Sequence, residues 1–229
     1  ALIEEIESSL YNLTENKNVD GNRLIPFTDS ISLAMRTANE AHKNKGQLSG
    51  ISSGFLAVDD LLGGLHKSDL IILAGRPSMG KTALATNMAY SAASNKKNDK
   101  AVAFFSLEMS AEQLANRILA EQASLSSDQI RRGKLTKENF SLLSKISKEI
   151  SANKLFIDDT PAINVSTLRT RARRLKRKLD NGLGLIVVDY LQLMRGSKKV
   201  ENRVQEISEI TQGLKSVAKE LDVPILALS

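Results

Sequence analysis

Apolar residues in this chain follow two rhythms. From about residue 50 onward, short and nearly unbroken apolar runs alternate with segments whose apolar positions recur every three or four residues. The runs at 70–74, 101–107, 154–158, 185–189 and 223–228 read as strands. The segments at 81–94, 111–123, 137–151, 166–179 and 204–221 read as helices, the last with the clearest stripe: Val204, Ile207, Ile210, Leu214, Val217 and Leu221. Ser110 and Gln113 have capping-box spacing at the start of the second of these helices, and Asn181-Gly182 stops the fourth. Strands apolar on both faces and alternating with helices predict a parallel sheet covered by helices on both sides. The expected class is α/β, with no internal repeat.

The first residues follow another pattern. Leu2, Ile3, Ile6, Leu10 and Leu13 form one stripe of a short helix over 1–13, and the polar stretch 14–25, with its Asp20-Gly21 turn, reads as a linker. A solitary helix of this length is marginal in water and must bury its stripe, either on its own domain or on another subunit. Pro26 and Phe27 lead into a further helix over 29–45, carrying Ile31, Leu33, Ala34, Met35 and Ala38 and ended by Gly46. The expected division is therefore a linker at 1–25 and a core domain at 26–229, its α/β part beginning near residue 50.

Composition narrows the function. At 229 residues, with 41% hydrophobic and 25% charged, the chain can bury a substantial core. No apolar run approaches the roughly 18 residues of a membrane helix, and the acidic start (Glu4, Glu5, Glu7) is unlike a signal peptide, so a soluble protein without membrane association is expected. The chain has no cysteine, which excludes disulfides and thiolate metal sites and fits a reducing compartment. His42 and His66 stand far apart and away from any nucleophile motif, and are read as surface or linker residues. A net charge of +6 favours polyanionic partners.

The strand at 70–74 runs directly into Gly75-Arg76-Pro77-Ser78-Met79-Gly80-Lys81-Thr82 and then a helix, the G-x-x-x-x-G-K-[ST] pattern in strand–loop–helix context. Its backbone N–H groups and helix N-terminus suit the phosphates of ATP, Lys81 reaches the β- and γ-phosphates, and the Thr82 hydroxyl can ligate Mg²⁺. Asp189 ends the apolar run 185–188, where a metal-side carboxylate belongs. Glu108 ends the strand at 101–107 at the same sheet edge; it is the candidate base, with a helix-favouring first-turn carboxylate as the alternative. Asp158 and Asp159 also end a strand, but Pro161 follows, and they are read as caps of that turn.

Four stretches, GRPSMGKT (75–82), FFSLEMS (104–110), IVVDYLQLM (186–194) and KELDVPILALS (219–229), resemble the DnaB-type replicative DNA helicases over nearly the whole chain. That resemblance implies a RecA-like ATPase, acting in the cytoplasm, which forms a hexameric ring around single-stranded DNA and unwinds a fork 5′ to 3′. It assigns Lys81 and Thr82 to phosphate and magnesium, Asp189 to the metal side and Glu108 to the base. It also favours docking of the 1–13 helix on a neighbouring subunit, and adds primase and a helicase loader as candidate partners. It implies a helical collar domain ahead of residue 1, and a Gln-containing motif and an arginine finger beyond Ser229, so the chain reads as a fragment whose own turnover is reduced. The alternatives are a recombination-type ATPase, against which SLEM, DYLQLM and the linker helix speak, and a nucleotide-gated assembly module.

Two basic clusters compete for DNA. The helix bearing Arg169, Arg171, Arg173, Arg174, Lys176, Arg177 and Lys178 buries Leu168, Ala172, Leu175 and Leu179, leaving its charges outward as a solvated or partner face or as a DNA contact. The loop after Asp189 carries Arg195, Lys198 and Lys199, with Arg203 beyond, at the sheet edge of the nucleotide site. It is the candidate DNA-binding element, with a plain solvated loop as the alternative. With 4% aromatic residues, sequence-independent contact with the DNA backbone is expected.

Overall fold

The computed structural model describes residues 24, 26–43, 48–96, 99–196 and 202–229. The chain divides into two compact units, residues 1–47 and 48–229. The expected helix over 1–13 lies outside the described residues. In the first unit, α1 spans Phe27–Lys43, with Asp29 in its first turn and Phe27 and Met35 exposed. The expected core domain began at residue 26, whereas the second compact unit begins at Leu48, so α1 falls outside it.

The second unit contains one five-stranded, all-parallel sheet: β1 (Leu70–Leu73), β2 (Ala101–Ser106), β3 (Leu155–Asp158), β4 (Leu183–Asp189) and β5 (Ile225–Leu228). Their spatial order is β1-β5-β4-β2-β3, so the chain crosses the sheet between β1 and β2 and works back to lay β5 beside β1. β2 and β4 are buried along their whole length, which is why their sequences are apolar on both faces.

Alternation along β2 separates two cores. Val102 and Phe104 pack with Ala85, Met88, Ala89 and Leu114, from α3 (Lys81–Ser94) and α4 (Ala111–Gln122). Ala101, Ala103 and Phe105 pack on the other face with Leu168, Ala172, Ile210, Leu214 and Val217, from α7 (Val165–Lys178) and α8 (Arg203–Leu221). The capping box at Ser110 forms with both of its bonds, from Gln113 N–H to Ser110 Oγ at 3.2 Å and from Ser110 N–H to Gln113 Oε1 at 3.0 Å.

Three further α-helices occur among the described residues of the unit. α6 (Lys137–Ile150) was expected, while α2 (Leu56–Leu62) and α5 (Ser127–Arg131) were not. α2 puts only Val58 against a core, since Leu56 and Leu61 are 83% and 86% exposed. Its buried anchor is Asp59, which accepts from Ser52 Oγ at 2.6 Å and Ser53 N–H at 2.8 Å. Burial raises the Asp59 pKa, but these hydrogen bonds outweigh it and hold the group below its ordinary value. Among the described residues, no helix is long and apolar enough to cross a membrane.

Candidate nucleotide site

The C-terminal ends of β1, β4 and β2 converge on a cleft of about 610 Å³. β1 leads into the P-loop, where Ser78 and Gly80 take left-handed conformations at φ of 63° and 85°. Gly80 is the N-cap of α3, and a Cβ there would meet nothing within 4 Å, so the loop's inner surface is open above the helix N-terminus. Gly75, Pro77, Ser78, Gly80, Lys81 and Thr82 line the cleft; Arg76 and Met79 belong to the loop but not to the lining. The Lys81 ammonium lies over the loop and donates to the carbonyl oxygens of Gly75 and of Arg76, the latter at 3.3 Å.

Sheet register brings the two carboxylates together. Ser106 pairs with Asp189 across β2 and β4, and Leu107 N–H continues the ladder to Asp189 O at 2.7 Å, so Glu108 emerges one residue later at the same edge. The turn carrying Glu108 is fixed from below. Buried Ser106 donates from Oγ to Met109 O at 2.6 Å and accepts from Met109 N–H at 3.2 Å. Glu108 is exposed to the cleft, whereas Asp189 is 1% exposed.

Burial pushes the Asp189 carboxyl above its ordinary pKa; hydrogen bonding from Thr82 opposes this, the Glu108 charge adds to it, and Arg117 and Lys81 pull it back. Asp189 Oδ2 is buried with no hydrogen-bond partner among the described residues. A buried carboxylate oxygen left unpaired beside a threonine hydroxyl offers the oxygen donors that suit a magnesium ion. Mg²⁺ takes one or two protein ligands and completes its shell with phosphates and water, so it needs no acidic cluster, and none occurs among the described residues.

Sequence reasoning gave no role to six other residues of the cleft: Ala83, Met109, Arg117, Tyr190, Gln192 and Ser229. Arg117 lies on the cleft-facing side of α4, a placement that needs the helix orientation. Met109, Tyr190, Gln192 and Ser229 stood inside the quoted motifs without a role.

The DNA candidates are only partly described. Lys198 and Lys199 lie outside the described residues. Arg195 is exposed, and its N–H donates to Ile163 O at 3.2 Å. Arg203, at the start of α8, donates to Glu206 and to the Gln192 carbonyl, so its charge is shared within the chain. Much of the α7 charge is also internally engaged: Arg169 and Arg173 pair with Glu220, Arg171 pairs with Asp158, and Lys176 donates to Leu221 O at 2.5 Å. Asp158 caps its own turn, accepting from Thr160 N–H at 3.1 Å, whereas Asp159, expected to do the same, accepts from Ala111 N–H at 2.9 Å at the start of α4.

The comparisons with known proteins agree with one another. Residues 50–229 match the family model described as DnaB-like helicase C terminal domain. The chain is 48% identical over 235 residues to the replicative DNA helicase DnaB of Rickettsia prowazekii (strain Madrid E), covering 99% of this chain and 48% of that protein. It is 42% identical over 229 residues to the replicative DNA helicase DnaC of Bacillus subtilis (strain 168), covering 100% of this chain and 49% of that protein. It thus spans about half the length of the curated relatives it matches.

Among solved structures, one ATPase domain superposes with a TM-score of 0.80 at 32% identity, over 87% of this chain and 70% of that one. A DnaB-like replicative helicase, solved in a study of its interactions with primase, superposes with a TM-score of 0.78 at 30% identity, over 99% of this chain and 53% of that one. These likenesses bear out the expected RecA-like α/β fold with its phosphate loop, and carry nucleotide binding with it. With the family model matched from the start of the α/β unit to the last residue, the chain belongs to the DnaB-like helicase family.

Proposed function

We propose that this chain is the motor of a replicative DNA helicase, hydrolysing ATP to move 5′ to 3′ along single-stranded DNA and unwind duplex as a hexameric ring. The observation that carries the reading is the meeting of three elements at one sheet edge: the open P-loop, exposed Glu108, and buried Asp189 with its unpaired oxygen. The backbone N–H groups ahead of α3 and the Lys81 ammonium bind the β- and γ-phosphates. Thr82 and Asp189 would hold Mg²⁺, which when bound neutralises phosphate charge. Glu108 orients a water against the γ-phosphorus and takes its proton as the new P–O bond forms and the bond to ADP breaks, leaving ADP and inorganic phosphate.

Arg195, Lys198, Lys199 and Arg203 are proposed to hold DNA phosphates, and the 1–13 helix to join neighbouring subunits. The interaction of the solved DnaB-like relative with primase supports primase as a partner here, alongside a helicase loader, in the cytoplasm. Replacing Glu108 by Gln tests the assignment of the base. The variant is expected to bind Mg-ATP with affinity close to wild type and to lose at least about 100-fold in turnover, the usual worth of a general base. Turnover within a few-fold of wild type would place the base elsewhere.

A further inference from the structure

The edge of the sheet opposite the nucleotide cleft gathers cations. A parallel sheet has all of its strand entrances on one side, so Lys67 ahead of β1, Lys100 ahead of β2 and Asp222 ahead of β5 share that edge. Lys176, in the last turn of α7, joins them. Lys67 Nζ pairs with Asp222 Oδ2 at 3.1 Å, and Lys176 Nζ donates to Leu221 O at 2.5 Å, so two ammonium groups meet the turn between α8 and β5. Asp222 closes that turn in a left-handed conformation (φ 49°) and also accepts from Ser68 Oγ at 3.1 Å.

Lys100 stands among these charges with its stem fixed. A Cβ at position 184 would fall 2.8 Å from Lys100 Cβ, so Gly184 is what lets the base of this side chain lie against the start of β4. The residue is half-buried, and its ammonium makes no hydrogen bond or close ion pair among the described residues. The other nearby charges are engaged: Lys215 donates to Ser68 O at 2.9 Å and to Asp69 Oδ1 at 3.1 Å, and Lys154 pairs with Asp99 at 2.7 Å. The ammonium groups of Lys67, Lys100 and Lys176 therefore share one carboxylate, Asp222. Burial and the charges of Lys67 and Lys176 push the Lys100 ammonium below its ordinary pKa, against the pull of Asp222.

A lysine that is desolvated and set beside other cations presents more of its nitrogen as a free nucleophile near neutral pH. The same cations attract anions. A reactive amine and an anion-attracting pair at one spot suit a small electrophile that is itself anionic, and an acyl phosphate has both properties.

We propose that Lys100 is a site of covalent acylation by acyl phosphates, with Lys67 and Lys176 drawing the donor's phosphate toward the amine. Lys100 Nζ attacks the acyl carbonyl carbon and a C–N bond forms. The C–O bond to the phosphate breaks, its electron pair leaving with inorganic phosphate, and the amine proton passes to that phosphate. The product is an uncharged amide, so the edge loses one of its three facing cations. Asp222 has the opposite influence: its charge holds the Lys100 proton and repels the donor.

The test incubates the full chain near neutral pH with acetyl phosphate, or with the neutral ester N-hydroxysuccinimide acetate, and follows each lysine by peptide mass spectrometry. In wild type, acetyl phosphate is expected to label Lys100 about 5-fold or more faster than exposed Lys219, the effect of one unit charge about 4 Å away in water. In the double variant Lys67→Gln, Lys176→Gln the Lys100 rate is expected to fall by about 5-fold or more with acetyl phosphate and by less with the neutral ester. Asp222→Asn is expected to raise the rate with acetyl phosphate by a similar factor, a change that solvent exposure of Lys100 alone would not produce.

Labelling of Lys100 no faster than Lys219, or a rate unmoved in the double variant, overturns the proposal. An equal fall with both reagents means that the cations act on the amine alone, and overturns the selection of acyl phosphates. Circular dichroism and thermal melting establish that each variant is folded. Should the double variant not fold, Asp222→Asn decides the matter: faster labelling supports the proposal, and an unchanged or slower rate counts against it.

Discussion

Ser106→Ala removes a buried hydroxyl that never reaches the cleft, yet its largest expected effect is on turnover. Ser106 Oγ makes two hydrogen bonds to the Met109 backbone, at 2.6 and 3.2 Å, which close the turn carrying Glu108. Each such bond contributes about 0.5–1.5 kcal/mol net. Met109 is half-buried, so water replaces part of what is lost, and the expected cost is about 1–2 kcal/mol. For a unit of this size that corresponds to a fall in melting temperature of about 2–8 °C. A displacement of Glu108 by an ångström costs far more in the reaction than in folding, on the order of 100-fold in rate. The assay is phosphate release at saturating Mg-ATP, with nucleotide affinity and thermal melting measured on the same protein. A loss of 10-fold or more in turnover with little change in affinity is the result expected from that positioning effect. Melting lowered as expected but turnover within two-fold of wild type would refute the claim that this turn positions the base.

Two further outcomes follow from the charges. If Lys198 and Lys199 hold DNA phosphates, changing both to Ala reduces the salt dependence of single-strand affinity by about 0.7 in log–log slope per lost contact, alike for all base sequences; an unchanged slope removes them from the interface. The second concerns acid. Burial raises the Asp158 pKa, but hydrogen bonds from Arg171 and Thr160 bring it below its ordinary 3.8. The folded chain therefore holds this proton less readily than the unfolded chain, and the stability it contributes is present above 3.8 and lost as pH falls through the depressed value. Urea melts from pH 7 to pH 2.5 are expected to show a smaller acid-dependent loss in Asp158→Asn than in wild type, and coincident losses would contradict the assignment.

Much of this architecture is written in short-range patterns. β2 and β4 are legible because a strand covered on both faces must be apolar at every position, and the Ser110 capping box because it closes within four residues. The P-loop is legible for the same reason: its glycines, lysine and threonine act within one turn of chain. What escaped depends on distant partners. α2 is anchored by a buried Asp59 clamped to Ser52 and Ser53, a polar anchor that hydrophobic periodicity does not register. Arg117 enters the cleft only because α4 turns that face toward β4, and Gln192 acquires its place only when β5 brings Ser229 beside it. The helix rich in arginine reads as a free basic surface in sequence, yet Glu220 and Asp158, brought from α8 and β3, engage three of its arginines.

The central claim is that this cleft drives strand separation, and fork unwinding by the full-length protein tests it most directly. Forked duplexes carrying either a 5′ or a 3′ single-stranded tail, given Mg-ATP, distinguish a motor from a nucleotide-gated module. Wild type is expected to separate strands when the 5′ tail is available and to do so only with hydrolysable nucleotide. Lys81→Ala, which removes the cation placed over the P-loop, is expected to lose that activity. Strand separation that persists in Lys81→Ala, or its absence in wild type while ATP is being hydrolysed, would contradict the account.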